Sequence, residues 1–302
     1  MEYEVFKQHI RDGVEAQTKK GGKVLVNHII KNNGRELDGL VILDEGCNVA
    51  PTIYLNSYYE QYQDGRKISD IVKEIINIHR SNRNNLKFAS DMFNDYANVK
   101  DKVVYKVINY DKNLKLLADV PHKKMLDLAV VYYCLLEQDK GMSATALIHN
   151  SHLKSWNITE EQLYEDAIIN TPRLLKSCIK PMSTILREMI EVEDDDDKEE
   201  SDTQLIGREG EMYVLTNENR VNGAACILYE KVLDKFADIM EADLYILPSS
   251  VHEVIILPKQ STYDKKMLQD MVREVNVEGV AADEVLSDSV YEYSRKDRMI
   301  KL

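Results

Sequence analysis

The sequence lacks the features that mark secreted and membrane-spanning proteins. Its longest run of apolar residues, 128–136, has nine members, whereas a helix needs roughly 20 to cross a bilayer. Charged residues are spread through the first thirty positions, so no secretory signal is predicted. The four cysteines form no Cys-x-x-Cys pair: Cys47, Cys134, Cys178 and Cys226. This spacing favours reduced thiols over a disulfide framework, and we expect a cytoplasmic protein that binds no membrane.

Positive charge is also scarce. Lysine and arginine number 39 against 52 aspartates and glutamates, which gives a net charge of −13. Such a surface repels phosphates, so we expect no nucleic-acid partner. Neither Gly21-Gly22 nor the pair Gly207 and Gly210 has the strand, lysine and hydroxyl residue of a phosphate-binding loop. We therefore predict no cofactor.

Much of the negative charge is concentrated in residues 191–202. This run holds nine acidic residues and one lysine, so removing it would change the net charge from −13 to −5. Like charges at this density repel one another and bury no apolar surface. We interpret residues 191–205 as an acidic linker. Three functional alternatives are a tether for a basic partner, a weak cation trap and an acidic mimic of nucleic acid.

Hydrophobic periodicity predicts an α+β fold with three small units: residues 1–95, 100–190 and 206–302. In the middle unit we expect a strand at 102–109, a helix at 111–120, strands at 126–136 and 144–149, and a helix at 160–170. In the last unit we expect a strand at 212–216, a helix at 223–240, strands at 243–247 and 252–257, and a helix around 267–275. Both units thus have the order β-α-β-β-α, which suggests a duplication.

The first unit is predicted to combine helices with a β-hairpin. A helix near residues 3–19 precedes strands near 23–30, 36–43 and 52–55, and Asn33-Gly34 is a strong hairpin turn signal. Two further helices are predicted, one short through the tyrosines at 58, 59 and 62 and one longer with apolar residues from 68 to 78 on one face.

Several stretches resemble a known family over almost the whole chain. They are LDGLVILDEGCNVAPTIYLNSYYEQYQDG, VPHKKMLDLAVVYY, NTPRLL, MYVLTN, GAACILY and DLYILPSSVHEVIILP. The family consists of uncharacterised proteins common in anaerobic intestinal bacteria and is a domain of unknown function. More distantly, Trp156 before a Thr-Glu-Glu helix start and the Pro-x-x-x-His segment at 248–252 resemble a second, unassigned bacterial family. The resemblance implies a bacterial cytoplasmic α+β protein and supplies no catalytic residues.

The richest concentration of reactive side chains lies between the last two predicted strands of the C-terminal unit. Ser249, Ser250, His252 and Glu253 supply hydroxyls, an imidazole and a carboxylate at one sheet end. A nucleophile needs a histidine within hydrogen-bond reach, so these residues are candidates for hydrolysis. The alternative is that they satisfy backbone groups of a tight turn.

Cys226 is a second candidate nucleophile. It lies near the predicted start of the helix at 223–240, where the helix dipole and free amides can lower the pKa of a thiol. Paired with His252, it would form a cysteine–histidine hydrolase site. Its place on an apolar flank of that helix favours the alternative of a buried, unreactive thiol.

A metal site is not expected. His149 and His152 have a spacing that suits a metal on a helix, with His122 as a third ligand, but no carboxylate or cysteine accompanies them in sequence. The 17 tyrosines, against four phenylalanines and one tryptophan, suit protein contacts. We therefore predict a non-catalytic interaction or regulatory protein with a protein partner. The alternatives are the hydrolase and the nucleic-acid mimic, and the oligomeric state stays open.

Overall fold

The computed structural model describes residues 1–18, 21–45, 50–139, 142–190, 210–259 and 263–302. These residues form a mixed α+β fold, as predicted. The chain divides into two compact units, one of residues 1–101 with 154–157 and one of residues 102–153 with 158–302. Within the described ranges, no helix has the length and apolar content needed to span a membrane. Cys47 and the acidic run at 191–202 lie outside the described residues.

The first unit follows the predicted order of elements closely. It contains α1 (Tyr3–Glu15), β1 (Lys23–Ile30), β2 (Glu36–Leu43), β3 (Thr52–Tyr54), α2 (Leu55–Gln63), α3 (Ile68–Phe93) and α4 (Tyr96–Val99). The predicted turn is confirmed, because Asn33 and Gly34 both have positive φ, 57° and 72°. β1, β2 and β3 form an antiparallel sheet in that order.

One face of this sheet packs against the helices. α1 contributes Phe6, Ile10 and Val14 at helical spacing, and all three are fully buried. The sheet contributes alternate residues, among them Leu40 and Ile42. Since successive strand residues point to opposite faces, the residues between them lie on the other face of the sheet. We call this second side the outer face.

The second unit contains two antiparallel sheets. Its first half comprises β4 (Val103–Asn109), α5 (Leu114–Leu117), β5 (His122–Met125), β6 (Leu128–Asp139), β7 (Met142–Leu147), α6 (Asn150–Trp156) and α7 (Glu160–Leu174). β4 pairs with one edge of β6, while β5 and β7 pair with successive parts of its other edge. The predicted start of α7 is confirmed, because Thr159 and Gln162 form a reciprocal capping box.

Its second half forms a six-stranded sheet. The elements are β8 (Ser177–Pro181), α8 (Met182–Ile190), β9 (Tyr213–Asn217), α9 (Val232–Met240), β10 (Leu244–Leu247), β11 (Val254–Pro258), α10 (Lys265–Glu278), β12 (Tyr291–Ser294) and β13 (Met299–Lys301). The strand order is β13-β12-β10-β11-β9-β8. β8, from the predicted unit 100–190, pairs directly with β9, from the predicted unit 206–302. The division into these two units stays a prediction.

The two sheets share one topological motif. In the first, the third strand β6 lies between β4 and β5. In the second, counted from β9 onward, the third strand β11 lies between β9 and β10. The match depends on β5, a strand that the sequence did not predict, and β7 has no counterpart in it. A duplication would produce this shared order, and the duplication stays a prediction.

The predicted helix at 223–240 is wrong as a continuous element. Residues Gly223–Leu228 form a 3-10 helix, and α9 begins only at Val232. The chain leaves helical geometry at Tyr229, where ψ is 132°, and Lys231 has a positive φ of 63°. Tyr229 is buried and its hydroxyl donates to the Leu175 carbonyl at 2.8 Å, which fixes the break in place.

Candidate functional site

The connection between β10 and β11 carries the predicted catalytic side chains, and its backbone is paired with a second segment. The amides of Leu286 and Ser287 donate to the carbonyls of Ser249 and Pro248, each at 2.9 Å, and the Val251 amide donates to the Glu284 carbonyl at 2.9 Å. A bridge between Ser250 and Val285 completes this short ladder. The turn is therefore held by backbone hydrogen bonds along both of its arms.

Both ring nitrogens of His252 have partners. The backbone amide of Asn222 donates to Nδ1 at 3.3 Å, and Nε2 lies 3.3 Å from a carboxylate oxygen of Glu284. An Nδ1 that accepts a hydrogen bond leaves the ring proton on Nε2, where it points at the carboxylate. In this arrangement His252 offers no free nitrogen to take a proton from a serine or a thiol.

Of the two serines and Glu253, Ser250 bonds the backbone of the turn through its side chain. Ser250 is buried, with 5% of its surface exposed, and its Oγ accepts the backbone amide of His252 at 3.0 Å. Such a bond from a serine oxygen to the amide two residues ahead is a common way to stabilise a turn. Ser249 and Glu253 are half-buried. The hydroxyl of Ser250 therefore lies beside the His252 backbone and serves the turn locally.

Cys226 is placed close to this turn but in an environment that suppresses its reactivity. It is completely buried in the 3-10 helix, and its Sγ donates to the Thr216 carbonyl at 3.2 Å. Burial raises the pKa of the Cys226 thiol to about 12. The expected helix start is missing, since α9 begins six residues later, so no α-helix dipole lowers the pKa of this thiol.

Gly223 explains how the segments approach so closely. A Cβ at this position would lie 2.5 Å from the His252 carbonyl oxygen and 2.1 Å from Oγ1 of Thr216. The same Thr216 hydroxyl donates to the His252 carbonyl at 2.8 Å. Cys226 and His252 thus both contact Thr216, one through its thiol and the other through its backbone, while the imidazole contacts Asn222 and Glu284.

Of the three histidines considered as metal ligands, His149 and His152 contact each other, whereas His122 has a different partner. Nδ1 of His149 lies 2.7 Å from a carboxylate oxygen of Asp119, and the His149 amide donates to Nδ1 of His152 at 2.9 Å. Burial lowers the pKa of His152. Nδ1 of His122 bonds the Val120 carbonyl instead, at 3.0 Å. Among the described residues, no group of three His, Cys, Asp or Glu side chains is arranged to hold a metal.

Sequence reasoning missed a charged cluster in the first unit. Nζ of Lys7, on α1, lies 3.0 Å from a carboxylate oxygen of Asp38 on β2 and 2.8 Å from Glu4. His28, which is opposite Asp38 in the β1–β2 register, lies 3.5 Å from the other oxygen. Burial alone would raise the pKa of Asp38, but hydrogen bonds with Lys7, Tyr3 and His28 and the charge of Lys7 together outweigh burial, and the pKa is lowered. The cluster anchors α1 on the sheet.

A second missed cluster surrounds Asp127, in the turn between β5 and β6. Its carboxylate accepts hydrogen bonds from Ser287 at 2.5 Å, Ser289 at 3.2 Å and the Tyr291 hydroxyl at 2.5 Å. Burial and the negative charge of Asp127 raise the pKa of Tyr291. These bonds tie the first sheet of the second unit to the start of β12.

A shallow cavity of about 370 Å³ lies beside the β12–β13 hairpin. Its charged lining residues are engaged with one another and with the neighbouring helix. Arg298 donates to the Asp234 carbonyl at 3.2 Å and to the Asp238 carboxylate at 2.9 Å, and the Tyr293 hydroxyl donates to the Asp234 carboxylate. The cavity therefore offers polar groups that already have partners.

The outer face of the first sheet is apolar. Its apolar residues are Leu25 and Ile29 on β1, Leu37, Val41 and Leu43 on β2, and Tyr54 on β3. Leu25 is 42% exposed, and the others are half-buried. The register pairs Leu25 with Val41 and Ile29 with Leu37, so these side chains form one continuous patch. A one-sided sheet usually has a polar second face, so an apolar one indicates a contact surface.

Comparison with known proteins identifies the family of this chain but gives no activity. No curated protein matches the chain. No solved structure matches it either. One family model covers almost all of the described fold, from the start of α1 to the end of β12. On this match the chain belongs to a family of unknown function, DUF5688, over residues 3–295.

Proposed function

We propose that this chain is a non-catalytic interaction protein that acts through contacts with a protein partner. The observation that carries the proposal is the apolar outer face of the β1–β2–β3 sheet, where Leu25 is 42% exposed beside Val41 and Ile29. Apolar patches of this kind on the surface of a protein are typical of binding surfaces. Of the alternate residues of β1 and β2 that form this face, only Lys23 is charged.

The state of the predicted catalytic groups supports the non-catalytic part of the proposal. A hydrolase needs a nucleophile next to a histidine that can accept its proton. Here the Cys226 thiol is buried and donates to a backbone carbonyl, and the His252 ring is held between Asn222 and Glu284. Hydrolysis by Cys226, or by Ser249 or Ser250, with His252 is the competing function.

The proposal also includes a cytoplasmic location and a bacterial origin. Cys134, Cys178 and Cys226 are free thiols, which favours the reducing cytoplasm. A bacterial source, distribution among intestinal anaerobes and the more distant second family rest on sequence resemblance and stay predictions.

Two measurements on the purified full chain test the proposal. We expect affinity capture at low and at high salt to recover one stoichiometric partner, and we expect no hydrolysis of ester and amide substrates that depends on His252. The matched variants are His252→Ala and, as a control at an exposed histidine outside the turn, His9→Ala. Hydrolysis by the wild type that His252→Ala abolishes and His9→Ala preserves would overturn the proposal, as would failure to capture any partner at every salt concentration.

A further inference from the structure

β1 has an open edge that lacks the usual protection. All eight of its residues pair with β2 without a break in register, while its other edge pairs with no strand in the described part of the chain. Proteins normally block such an edge with proline, a bulge or a charged residue in mid-strand. Residues 24–30, VLVNHII, contain no proline, lysine, arginine, aspartate or glutamate. The edge is therefore free to pair with another strand.

The sequence of β1 is complementary to itself. Directly opposed residues of an antiparallel pair lie on the same face of the sheet. A two-fold axis between two copies of β1 must therefore pass midway between the two copies of one residue, and we name the axis by that residue. An axis at Asn27 places Leu25 opposite Ile29 of a second copy on the outer face, and Val24 opposite Ile30 on the other. The two Asn27 amides then face each other, and each can both donate and accept.

The neighbouring registers fit less well. An axis at Val26 would place Lys23 opposite Ile29 and Leu25 opposite Asn27, so apolar side chains would face polar ones. With the axis at Asn27, Lys23 of one copy lies opposite Lys31 of the other, and these pairs occur only at the two ends of the paired strands. One of them, Lys31, holds its ammonium over the Tyr54 ring of its own sheet, 4.7 Å from the centroid. With the axis at Asn27, apolar residues thus lie opposite apolar ones on the outer face, while on the other face Val26 lies opposite His28.

We propose that two copies of this chain associate through antiparallel pairing of their β1 strands, with the two-fold axis at Asn27. The three-stranded sheets then join into one sheet of six strands, and Leu25 and Ile29 of each copy extend the apolar outer face of the other. This is an isologous contact, the commonest arrangement in homodimers. The inference names one partner for the proposed interaction function and rests on that function.

Cysteine crosslinking tests the register directly. Asn27→Cys brings two cysteines together at the axis, and a disulfide needs Cα atoms within about 4.4–6.8 Å. The matched control is Lys23→Cys, whose two copies would be about 27 Å apart along the strands at 3.4 Å per residue. Both are made with Cys47→Ser and Cys178→Ser. We expect mild oxidation to crosslink the cysteine at 27 and not the one at 23.

Sedimentation of the full chain over 1–100 µM gives an independent measurement. We expect a dimer whose dissociation constant rises at least tenfold in Leu25→Lys and stays unchanged in Val277→Lys, a control at an apolar residue on α10 that is 84% exposed. Circular dichroism verifies that each variant is folded. A monomer at every concentration, or a dimer that resists Leu25→Lys and gives no crosslink at position 27, would overturn the inference. Neither result affects the capture of a different protein or the hydrolysis assay, so the two proposals fail separately.

Discussion

Asp38 is a charged residue at a position of β2 whose side chain faces the core. Leu40 and Ile42 follow it at alternating positions, and both are buried against the helices. Only 14% of the Asp38 side chain is exposed, and 16% of its partner Lys7. A carboxylate in this setting depends on its counter-charge, because removing one member of a shielded pair leaves the other unpaired.

The lowered pKa of Asp38 predicts how acid acts on the first unit. A carboxyl whose pKa is lower in the folded state contributes stability above its unfolded pKa of about 3.9, and the contribution is lost as pH falls through the folded value. We expect Asp38→Asn to lower the free energy of unfolding at pH 7 by about 1–3 kcal/mol. We also expect a flatter dependence of stability between pH 5 and pH 2, measured by urea denaturation.

The control for this prediction is Asp70→Asn, at an exposed aspartate that lies 4.0 Å from the ammonium of Lys73. We expect its effect to be below about 0.5 kcal/mol, as for most exposed ion pairs. Equal losses in the two variants would show that the Lys7–Asp38 pair has no special role.

At the scale of single residues, sequence could find groups that are close in the chain and not those that packing brings together. Ser250 and His252 are two residues apart, so their contact follows from the turn itself. Lys7 and Asp38 are 31 residues apart and meet only when α1 packs on β2. The one available signal was the aspartate at an inward position of an alternating strand.

The N-terminus of α7 is determined by residues that are close together in the sequence. Thr159 accepts the Gln162 amide at 3.3 Å, and the Gln162 side chain accepts the Thr159 amide at 3.0 Å. We expect Thr159→Ala to lower the free energy of unfolding by about 1 kcal/mol, because a backbone donor of the first turn loses its partner. Thr159→Ser keeps the oxygen and should stay within about 0.5 kcal/mol of the wild type. Thermal and urea unfolding measure both, and a serine variant as unstable as the alanine variant would contradict the prediction.

Elements were predictable where the apolar periodicity was long. α10 and β6 follow their apolar patterns. β5 was missed because two of its four residues are lysines, and its pairing with β6 compensates for this weak local preference. The break between the 3-10 helix and α9 was missed because Tyr229 fits an apolar helix pattern, while its hydroxyl bonds Leu175, 54 residues away.

At the scale of the whole molecule, the acidic run connects two parts of one sheet. β8 ends at Pro181 and pairs with β9 from Tyr213 onward, so the chain leaves the sheet and returns beside the same strand. No composition signal reveals such a pairing, because it depends on long-range register. This is why the sequence suggested a boundary between units where the two strands are neighbours.

Deleting residues 191–202 tests this view of the acidic run. Ten residues would still connect α8 to β9, and the free energy of loop closure changes by only about 0.6 kcal/mol for each doubling of length. We expect the free energy of unfolding to change by less than about 1 kcal/mol, while the net charge changes from −13 to −5. Ion-exchange elution and urea unfolding measure the two effects. Unfolding of the variant, or loss of the captured partner, would assign the run a structural or binding role.

The cluster around Asp127 imposes an order on biosynthesis. Its three hydroxyl partners follow it by 160 to 164 residues. At elongation rates of about 5–20 residues per second, Asp127 leaves the ribosome about 8–32 s before they do. Lys7 and Asp38, by contrast, are separated by only 31 residues. The nascent chain can thus form the Lys7–Asp38 pair early, whereas the Asp127 carboxylate lacks its three hydroxyl partners until translation has passed Tyr291.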